Sequence, residues 1–238
     1  MPTATWRCDR ENMADEYFDS ASGEQPLVGV IISGNSKVGK RRAFIGFDLT
    51  RDPDIGARPE PGAQLAAADL LLDITILDGL TAWPGRVERI TRLDWAGYPN
   101  ASWLGYKPAT YWTTPGGDVD PALAVAFTSP AALGPYQTGG LLPLAQDAYA
   151  ARGGLLLIRL MSPEAEAGSF TAQFGTAFGA ANDARPRLQL TYAAAATIDV
   201  RDPAAITGSR PAGASAASDA TGLGRPGRPA HPARPTRS

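Results

Sequence analysis

Apolar and polar residues alternate with a period of two in several segments, which is typical of β-strands with one buried face. Three segments place their apolar side chains on a single face: Ala43, Ile45, Phe47 and Leu49; Leu70, Leu72, Ile74 and Ile76; and Leu188, Leu190 and Tyr192. Shorter segments of the same kind are residues 16–19, 27–33, 86–92, 122–128, 154–161 and 169–174. The pattern therefore predicts eight or nine short strands.

Only one segment has the spacing of a helix, residues 141–154, which Gly153 and Gly154 would end. The strands follow one another without a strand–helix–strand rhythm, and 26 Gly and 21 Pro supply turns between them. These features predict an all-β protein, an antiparallel sandwich or barrel with one short helix.

The composition changes near residue 206, beyond which Ala, Gly, Pro, Ser and Arg dominate and no aromatic residue occurs. Such a segment cannot bury enough apolar surface to offset its chain entropy, so we expect it to be disordered unless a partner holds it. We assign residues 1–12 to an N-terminal extension, 13–196 to the β-sandwich domain and 197–238 to an extended Pro/Gly/Ala/Arg-rich C-terminal arm.

The arm carries six Arg against three Asp, whereas the whole chain has a formal charge of −2. Its candidate partner-binding residues are Arg210, Arg225, Arg228, Arg234 and Arg237. Docking on a neighbouring subunit, plain disorder and nucleic-acid binding all remain open. The low charge density and the spacing of the prolines favour an arm that contacts another subunit, so that a nucleic-acid partner is not expected.

A phosphate-loop motif, G-x-x-x-x-G-K, is formally present at Gly34, Gly39 and Lys40. A working phosphate loop opens a helix and needs Ser or Thr after its Lys. Arg41 stands at that position, and the residues after it alternate as a strand. The segment therefore predicts a β-hairpin, with Gly34 and Asn35 as its turn.

Other catalytic and metal-binding groups are scarce. His231 is the single histidine and lies in the arm, and Cys8 is the single cysteine. Asp118 and Asp120 are the candidates for a carboxylate pair, although carboxylates in turns usually serve the turn itself. We predict no cofactor, with a structural calcium ion held by Asp15 or Asp19 as an open alternative.

Aromatic residues concentrate in residues 93–120, where three of the five tryptophans occur. Either these rings attach a long loop to the sandwich, or they form a platform on which sugar rings stack. The candidate stacking residues are Trp95, Trp103, Tyr106, Tyr111 and Trp112.

Localisation follows from what the N-terminus lacks. The stretch MPTATWRCDRENMADEYFD is polar and acidic, so no signal peptide is expected. No apolar stretch reaches 18 residues, so no membrane span is predicted.

Four motifs occur in order between residues 13 and 193: ADEYF at 14–18, RRAFIGFDL at 41–49, DWAGYPNASWLGYKPATYWTTPGGDVD at 94–120 and PRLQLTY at 186–192. This order resembles the DNRLRE-type jelly-roll modules, a family of β-sandwich domains similar to carbohydrate-binding modules. The resemblance implies a non-catalytic antiparallel jelly-roll sandwich. Members occur as accessory modules of secreted or surface proteins, some binding polysaccharide, and similar folds decorate bacteriophage particles.

The resemblance, the arm and the lack of a signal or enzyme motif together favour a structural protein of a phage-like virion, made in the host cytoplasm. It would be a capsid decoration or a tail component. The expected partners are other virion subunits, as a homo-oligomer or with a capsid or tail protein. The alternative is a carbohydrate-binding module that holds polysaccharide on the aromatic loop.

Overall fold

The computed structural model describes residues 1–15, 29–36, 39–78, 82–95, 102–107, 109–167, 171–175 and 184–193. All of them belong to the unit Met1–Ala196. The predicted strand segment 16–19 and the arm, 197–238, lie outside the described residues.

The described chain is all-β and its strands pair antiparallel, which confirms the predicted fold class. Its strands are β1 Thr3–Arg7, β2 Arg10–Asp15, β3 Gly29–Ser36, β4 Gly39–Asp48, β5 Ile55–Gly56, β6 Gln64–Asp78, β7 Pro84–Ile90, β8 Gly105–Lys107, β9 Thr110–Tyr111, β10 Val119–Thr128, β11 Gly134–Thr138, β12 Leu155–Met161, β13 Thr171–Gly175 and β14 Arg187–Ala193. Its helices are α1 Leu142–Ala151 and α2 Pro163–Ala167. The predicted helix is confirmed as α1, whereas α2 was not predicted.

The main sheet runs in the order β10-β7-β12-β4-β3-β13-β6-β14-β1-β5. β4 and β6 are separated by two strands in this order, yet Phe47 of β4 and Leu70 of β6 share one buried core. The sheet must therefore fold over so that its two halves face each other, as in a β-sandwich. The predicted inward faces of β4 and β14 are confirmed, because their apolar side chains are buried. On β6 the prediction fails only at Ile76, which is 48% exposed.

The helix α1 closes one side of this core with Leu144, Ala145 and Ala148. It ends where Gly153 and Gly154 adopt positive φ angles of 59° and 82°, a conformation that glycine tolerates best. The two glycines thus end the helix as the sequence predicted. Among the described residues, neither helix is long and apolar enough to cross a membrane.

A second buried cluster covers the opposite face of β4, β7 and β12. Phe44, Ile90 and Leu157 point from these strands into it. Alternation predicted that Phe44 faces away from the main core, and the structure shows that this second face is buried as well. These central strands therefore carry apolar side chains on both faces, and the second face positions the candidate site.

Residues 1–12 were predicted to be an extension, and the structure corrects this assignment. β1 pairs with β14 on one side and with β5 on the other. Ala4, Trp6 and Cys8 alternate inward and are at most 2% exposed. The N-terminus therefore contributes a core strand, because its period-two pattern buries apolar area that its polar average composition conceals.

The predicted hairpin around the phosphate-loop motif is confirmed, but its turn is elsewhere. Gly34 pairs with Arg41 and Asn35 with Lys40 inside the β3–β4 ladder. The last pair is Ser36 with Gly39, so the connection is residues 37–38, which are outside the described residues. A strand follows Lys40 and not a helix, so the chain lacks the helix N-terminus that would hold a phosphate at this loop.

Candidate functional site

Four aromatic side chains pack onto the second face of the sheet around Phe44 of β4, and we call this cluster the aromatic cap: Trp95, Trp103, Tyr106 and Trp112. The Phe44 ring meets Trp95 at 5.8 Å and Trp112 at 5.5 Å between ring centroids, both edge-on. The centroid of the Tyr106 ring lies 5.2 Å from that of Trp112, and these two rings are tilted by 49° to each other. Edge-to-face contacts of this kind add to the stabilisation from area burial alone.

Burial decides between the two interpretations of these rings. Trp95, Trp103, Tyr106 and Trp112 are between 1% and 6% exposed, whereas Tyr111 on β9 is 70% exposed. A sugar can stack only on a ring whose face is open to solvent. Four of the five candidate stacking residues therefore serve to attach the loop to the sheet, and only Tyr111 offers a face.

Arg42 of β4 connects the cap to α2. Its guanidinium lies 4.7 Å from the centroid of the Trp103 ring. Its Nε and Nη2 donate to the two carboxylate oxygens of Glu166 at 2.6 and 3.0 Å, and its Nη1 donates to the Gly116 carbonyl at 3.2 Å. A bidentate ion pair of this kind fixes the orientation of both side chains as well as the distance between them.

Arg159 of β12 makes a second, more deeply buried connection. Its Nε donates to Glu88 of β7 at 3.0 Å, and its Nη1 donates to the carbonyls of Gly116 and Gly117 at 2.8 and 3.0 Å. Burial lowers the pKa of the Arg159 guanidinium, and the neighbouring charge of Arg42 acts in the same direction while Glu88 opposes it. Two cationic side chains thus converge on the same turn.

That turn, residues 114–118, needs glycine at its centre. Gly116 and Gly117 have φ angles of +80° and +106°. A Cβ on Gly116 would lie 2.5 Å from Nη1 of Arg42, and one on Gly117 would lie 2.9 Å from Cζ of Phe44. Only glycine allows the backbone to approach the two guanidinium groups closely enough to present its carbonyls.

Asp118 closes the same turn from the other side. It accepts hydrogen bonds from the backbone N–H groups of Thr113 and Thr114 at 3.0 and 2.7 Å and from Nε of Arg92 at 3.0 Å. Burial opposes ionisation of Asp118, but these donors outweigh it, so the pKa of its carboxyl lies below its usual value of 3.8. Asp118 is therefore held as a carboxylate that caps the turn.

Asp118 and Asp120 were candidates for a carboxylate pair, and the structure gives each a separate arginine partner. Asp120 pairs with Arg89, which also donates to Asp147 at 2.8 Å. General acid catalysis needs a carboxyl that keeps its proton, with a raised pKa. The lowered pKa of Asp118 is the opposite arrangement.

Sequence reasoning missed Glu88, Arg159 and Glu166, which complete this network. Arg159 is the one charged residue in the apolar strand LLLIRLM, and it is 6% exposed. A lone arginine in a buried strand must find a charged or polar partner, and this was the available signal. Its partner Glu88 lies on a neighbouring strand, 71 residues away, so spacing along the chain could not identify it.

The part of the chain that the structure describes contains no group of three or more His, Cys, Asp or Glu side chains that could hold a metal ion. Of the candidate calcium ligands, Asp15 is the last residue of β2 and Asp19 lies outside the described residues. The predicted calcium ion therefore stays a prediction. The arm arginines, Arg210 to Arg237, also lie outside the described residues.

A comparison of the chain with protein-family models finds no match, and a search of curated protein sequences finds none either. The resemblance to DNRLRE-type modules therefore stays a prediction from motif order.

Proposed function

We propose that this chain is a non-catalytic structural protein of a bacteriophage-like particle, acting as a capsid decoration or a tail component. Its β-sandwich supplies a rigid body, and its C-terminal arm contacts neighbouring subunits. The protein is made in the host cytoplasm and works in the assembled virion.

One observation carries the proposal: the charged side chains around the aromatic cap are used to join segments of the fold. Glu88, Asp118, Asp120 and Glu166 each bind an arginine. The arginine partners fix the orientation of these carboxylates, which suits cross-linking of segments of the fold. Asp118 and Asp120, which the sequence analysis singled out, and Glu88 and Glu166, which it missed, therefore support a role in holding structure together.

The arm supports the same proposal from its composition. Residues 197–238 are positively charged overall, whereas the body carries the excess of acidic residues that makes the whole chain negative. Opposite charges on arm and body favour contacts between copies, and they steer the encounter of such copies. A body with an oppositely charged arm suits repeated assembly around a particle.

The proposal is tested by isolating particles from a lysate of cells that express the complete phage-like genome in which this chain is encoded. We expect the protein to band with the particles in a density gradient, at a fixed ratio to the major shell or tail subunit. A chain that remains wholly in the soluble fraction, while particles of normal composition form, would refute the proposal. Particles formed without the gene provide the matched control for antibody specificity.

The competing role is polysaccharide binding, but four of the five rings proposed to stack on sugars are buried. Its remaining candidate is Tyr111. A glycan array with the wild-type chain and with Tyr111→Ala tests it directly. Binding that the substitution abolishes would revive this role, and we expect no signal that depends on Tyr111.

A further inference from the structure

The end of the arm contains a three-residue repeat. Residues 225–236 read RPG-RPA-HPA-RPT, so proline recurs at Pro226, Pro229, Pro232 and Pro235. The residue before each proline is basic or, at His231, titratable. This regularity differs from the irregular Pro spacing of residues 203–211, and random low-complexity composition does not require it.

A period of three matches the polyproline II helix, which has three residues per turn and a rise of about 3.1 Å per residue. In that conformation, the four prolines would form one edge and the four preceding side chains a second edge. Charges would then recur about every 9 Å along the second edge. A segment of this kind is suited to a groove with an apolar floor and acidic rims.

The body has a groove of this description between the long loop after β4 and the helix α1. It is a cleft of about 1360 Å³. Its apolar lining includes Pro53, Pro59, Pro61 and Tyr149, and the Tyr149 side chain is 37% exposed. Proline-rich segments bind most often against aromatic rings and other prolines, because flat rigid surfaces then meet at low entropic cost.

The charges of the cleft complement those of the repeat. Asp52 and Glu60 line it and are exposed. Arg58 also lines it and is exposed, so the cleft carries two carboxylates and one cation; the Nη1 of Arg58 donates to the Thr50 carbonyl within the loop. The carboxylates of Asp52 and Glu60 are therefore the groups available to the arginines of an incoming segment.

The cleft is held open by hydrogen bonds between its loop and neighbouring strands. The Tyr192 hydroxyl donates to the Ala57 carbonyl at 2.7 Å, and the Asp54 N–H donates to the Thr5 carbonyl at 2.8 Å. The indole N–H of Trp6 donates to the Arg51 carbonyl at 3.0 Å. Because the loop is fixed before binding, little of the binding energy is lost in ordering it.

The last described strand ends beside the cleft. Ala193 pairs with Gln64 and Tyr192 with Leu65, and both Gln64 and Leu65 line the cleft. The 31 residues 194–224 separate this point from the repeat. At about 3.3 Å per residue, a chain of that length reaches at most roughly 100 Å, so it is long enough to contact an adjacent copy.

We infer that the repeat 225–236 of one copy binds, as a polyproline II helix, in the cleft between residues 49–65 and α1 of a neighbouring copy. The prolines pack on Tyr149 and the loop prolines, and the arginines face Asp52 and Glu60. This inference rests on the proposed function, because copies placed side by side in a particle raise the effective concentration of arm and cleft.

The first experiment measures self-association of the full-length chain by sedimentation velocity over a range of protein concentrations. Arg225→Ala/Arg228→Ala/Arg234→Ala removes three charges from the repeat. Arg225→Lys/Arg228→Lys/Arg234→Lys is the matched control, because it changes the same three positions and keeps their positive charge. We expect roughly tenfold weaker association or more for the first variant and less than about twofold for the second.

The second experiment tests the groove by complementation. Asp52→Lys/Glu60→Lys reverses the charge of the two exposed carboxylates and, like the repeat variant, should weaken self-association roughly tenfold or more. When the two variants are mixed, one supplies an intact cleft and the other an intact repeat, so we expect a one-to-one complex. Circular dichroism melting of each variant shows that the body remains folded.

A full-length chain that is monomeric at all concentrations would overturn the inference, and so would equal effects of the two triple variants or a mixture that does not associate. These results are distinguishable from failure of the proposed function. Self-association through the cleft in a protein absent from particles refutes the virion role alone. Particle incorporation that withstands the loss of both repeat and cleft charges refutes the arm–cleft contact alone.

Discussion

Arg42 and Glu166 are 124 residues apart in the sequence, and their side chains meet through two hydrogen bonds of 2.6 and 3.0 Å. Arg42 is 11% exposed and Glu166 is 7% exposed, so the pair is largely removed from water. It joins β4 to α2 and, through Gly116, to the aromatic cap. One ion pair therefore fixes three segments that the chain order keeps apart.

The first prediction concerns this pair. Glu166→Gln leaves the Arg42 guanidinium buried without a counter-charge, and we expect a loss of about 3–5 kcal/mol in the free energy of unfolding. The double variant Arg42→Met/Glu166→Leu should lose less free energy of unfolding than the sum of the losses in Arg42→Met and in Glu166→Leu, because it leaves no unpaired charge. Urea unfolding followed by tryptophan fluorescence measures all the variants. Additive effects would show that the pair contributes nothing as a pair.

The second prediction concerns the glycine turn. Gly116→Ala must accommodate a Cβ that lies 2.5 Å from Arg42 Nη1 and 2.8 Å from Cη2 of Trp103. Gly62→Ala is the matched control, because Gly62 has φ +87° and nothing within 4 Å of the added Cβ. We expect backbone strain of about 1–2 kcal/mol in both variants and a further 1–3 kcal/mol at Gly116 alone. Equal melting temperatures for the two variants would contradict the close packing of the turn.

The third prediction concerns acid. Because the pKa of Asp118 is lower in the folded protein than in the unfolded chain, its contribution to stability is complete above about pH 4 and is lost as the pH falls through its folded value. The pKa of Asp48 is also lowered, so acid destabilisation is shared. Asp118→Asn should reduce the free energy of unfolding at pH 6. It should also make the fall in the free energy of unfolding between pH 4 and pH 2.5 less steep. Urea unfolding at several pH values measures both effects, and an unchanged slope would count against the capping role.

The fourth prediction tests the position of the N-terminus. Cys8 is 2% exposed, and its backbone N–H donates to the Pro186 carbonyl at 2.8 Å. Its thiol should react with a chromogenic disulfide reagent only when the body opens, so the labelling rate should follow the equilibrium population of open molecules. Ala4→Asp, which buries a charge in β1, should raise the rate by orders of magnitude. Immediate labelling of the wild-type chain would instead favour the N-terminal extension that the sequence predicted.

The strands that the sequence predicted well are those in which one periodic face meets the main core. β4 and β14 carry uninterrupted apolar alternation, and burial of that face follows from it directly. β8, β9 and β5 are two or three residues long and have no period to detect. They form because neighbouring segments hold them in place.

The aromatic residues show the same division at the candidate site. The sequence marked Trp95, Trp103 and Trp112 as unusual, but the residue type alone does not tell whether a ring is exposed or buried. Only packing against Phe44 decided that these rings attach the loop and that Tyr111 stays outside.

The amino-acid sequence by itself determined the antiparallel β architecture, the helix and its glycine stop, and the absence of a phosphate loop. Each of these depends on local periodicity or on the conformational limits of single residues, which the chain order records. The tertiary structure decided that the N-terminus is a core strand, that the two candidate aspartates serve separate arginines, and that a cleft lies beside α1. These depend on contacts between residues many positions apart, such as Arg159 with Glu88, whose free energy arises only when the folded sheet brings them together.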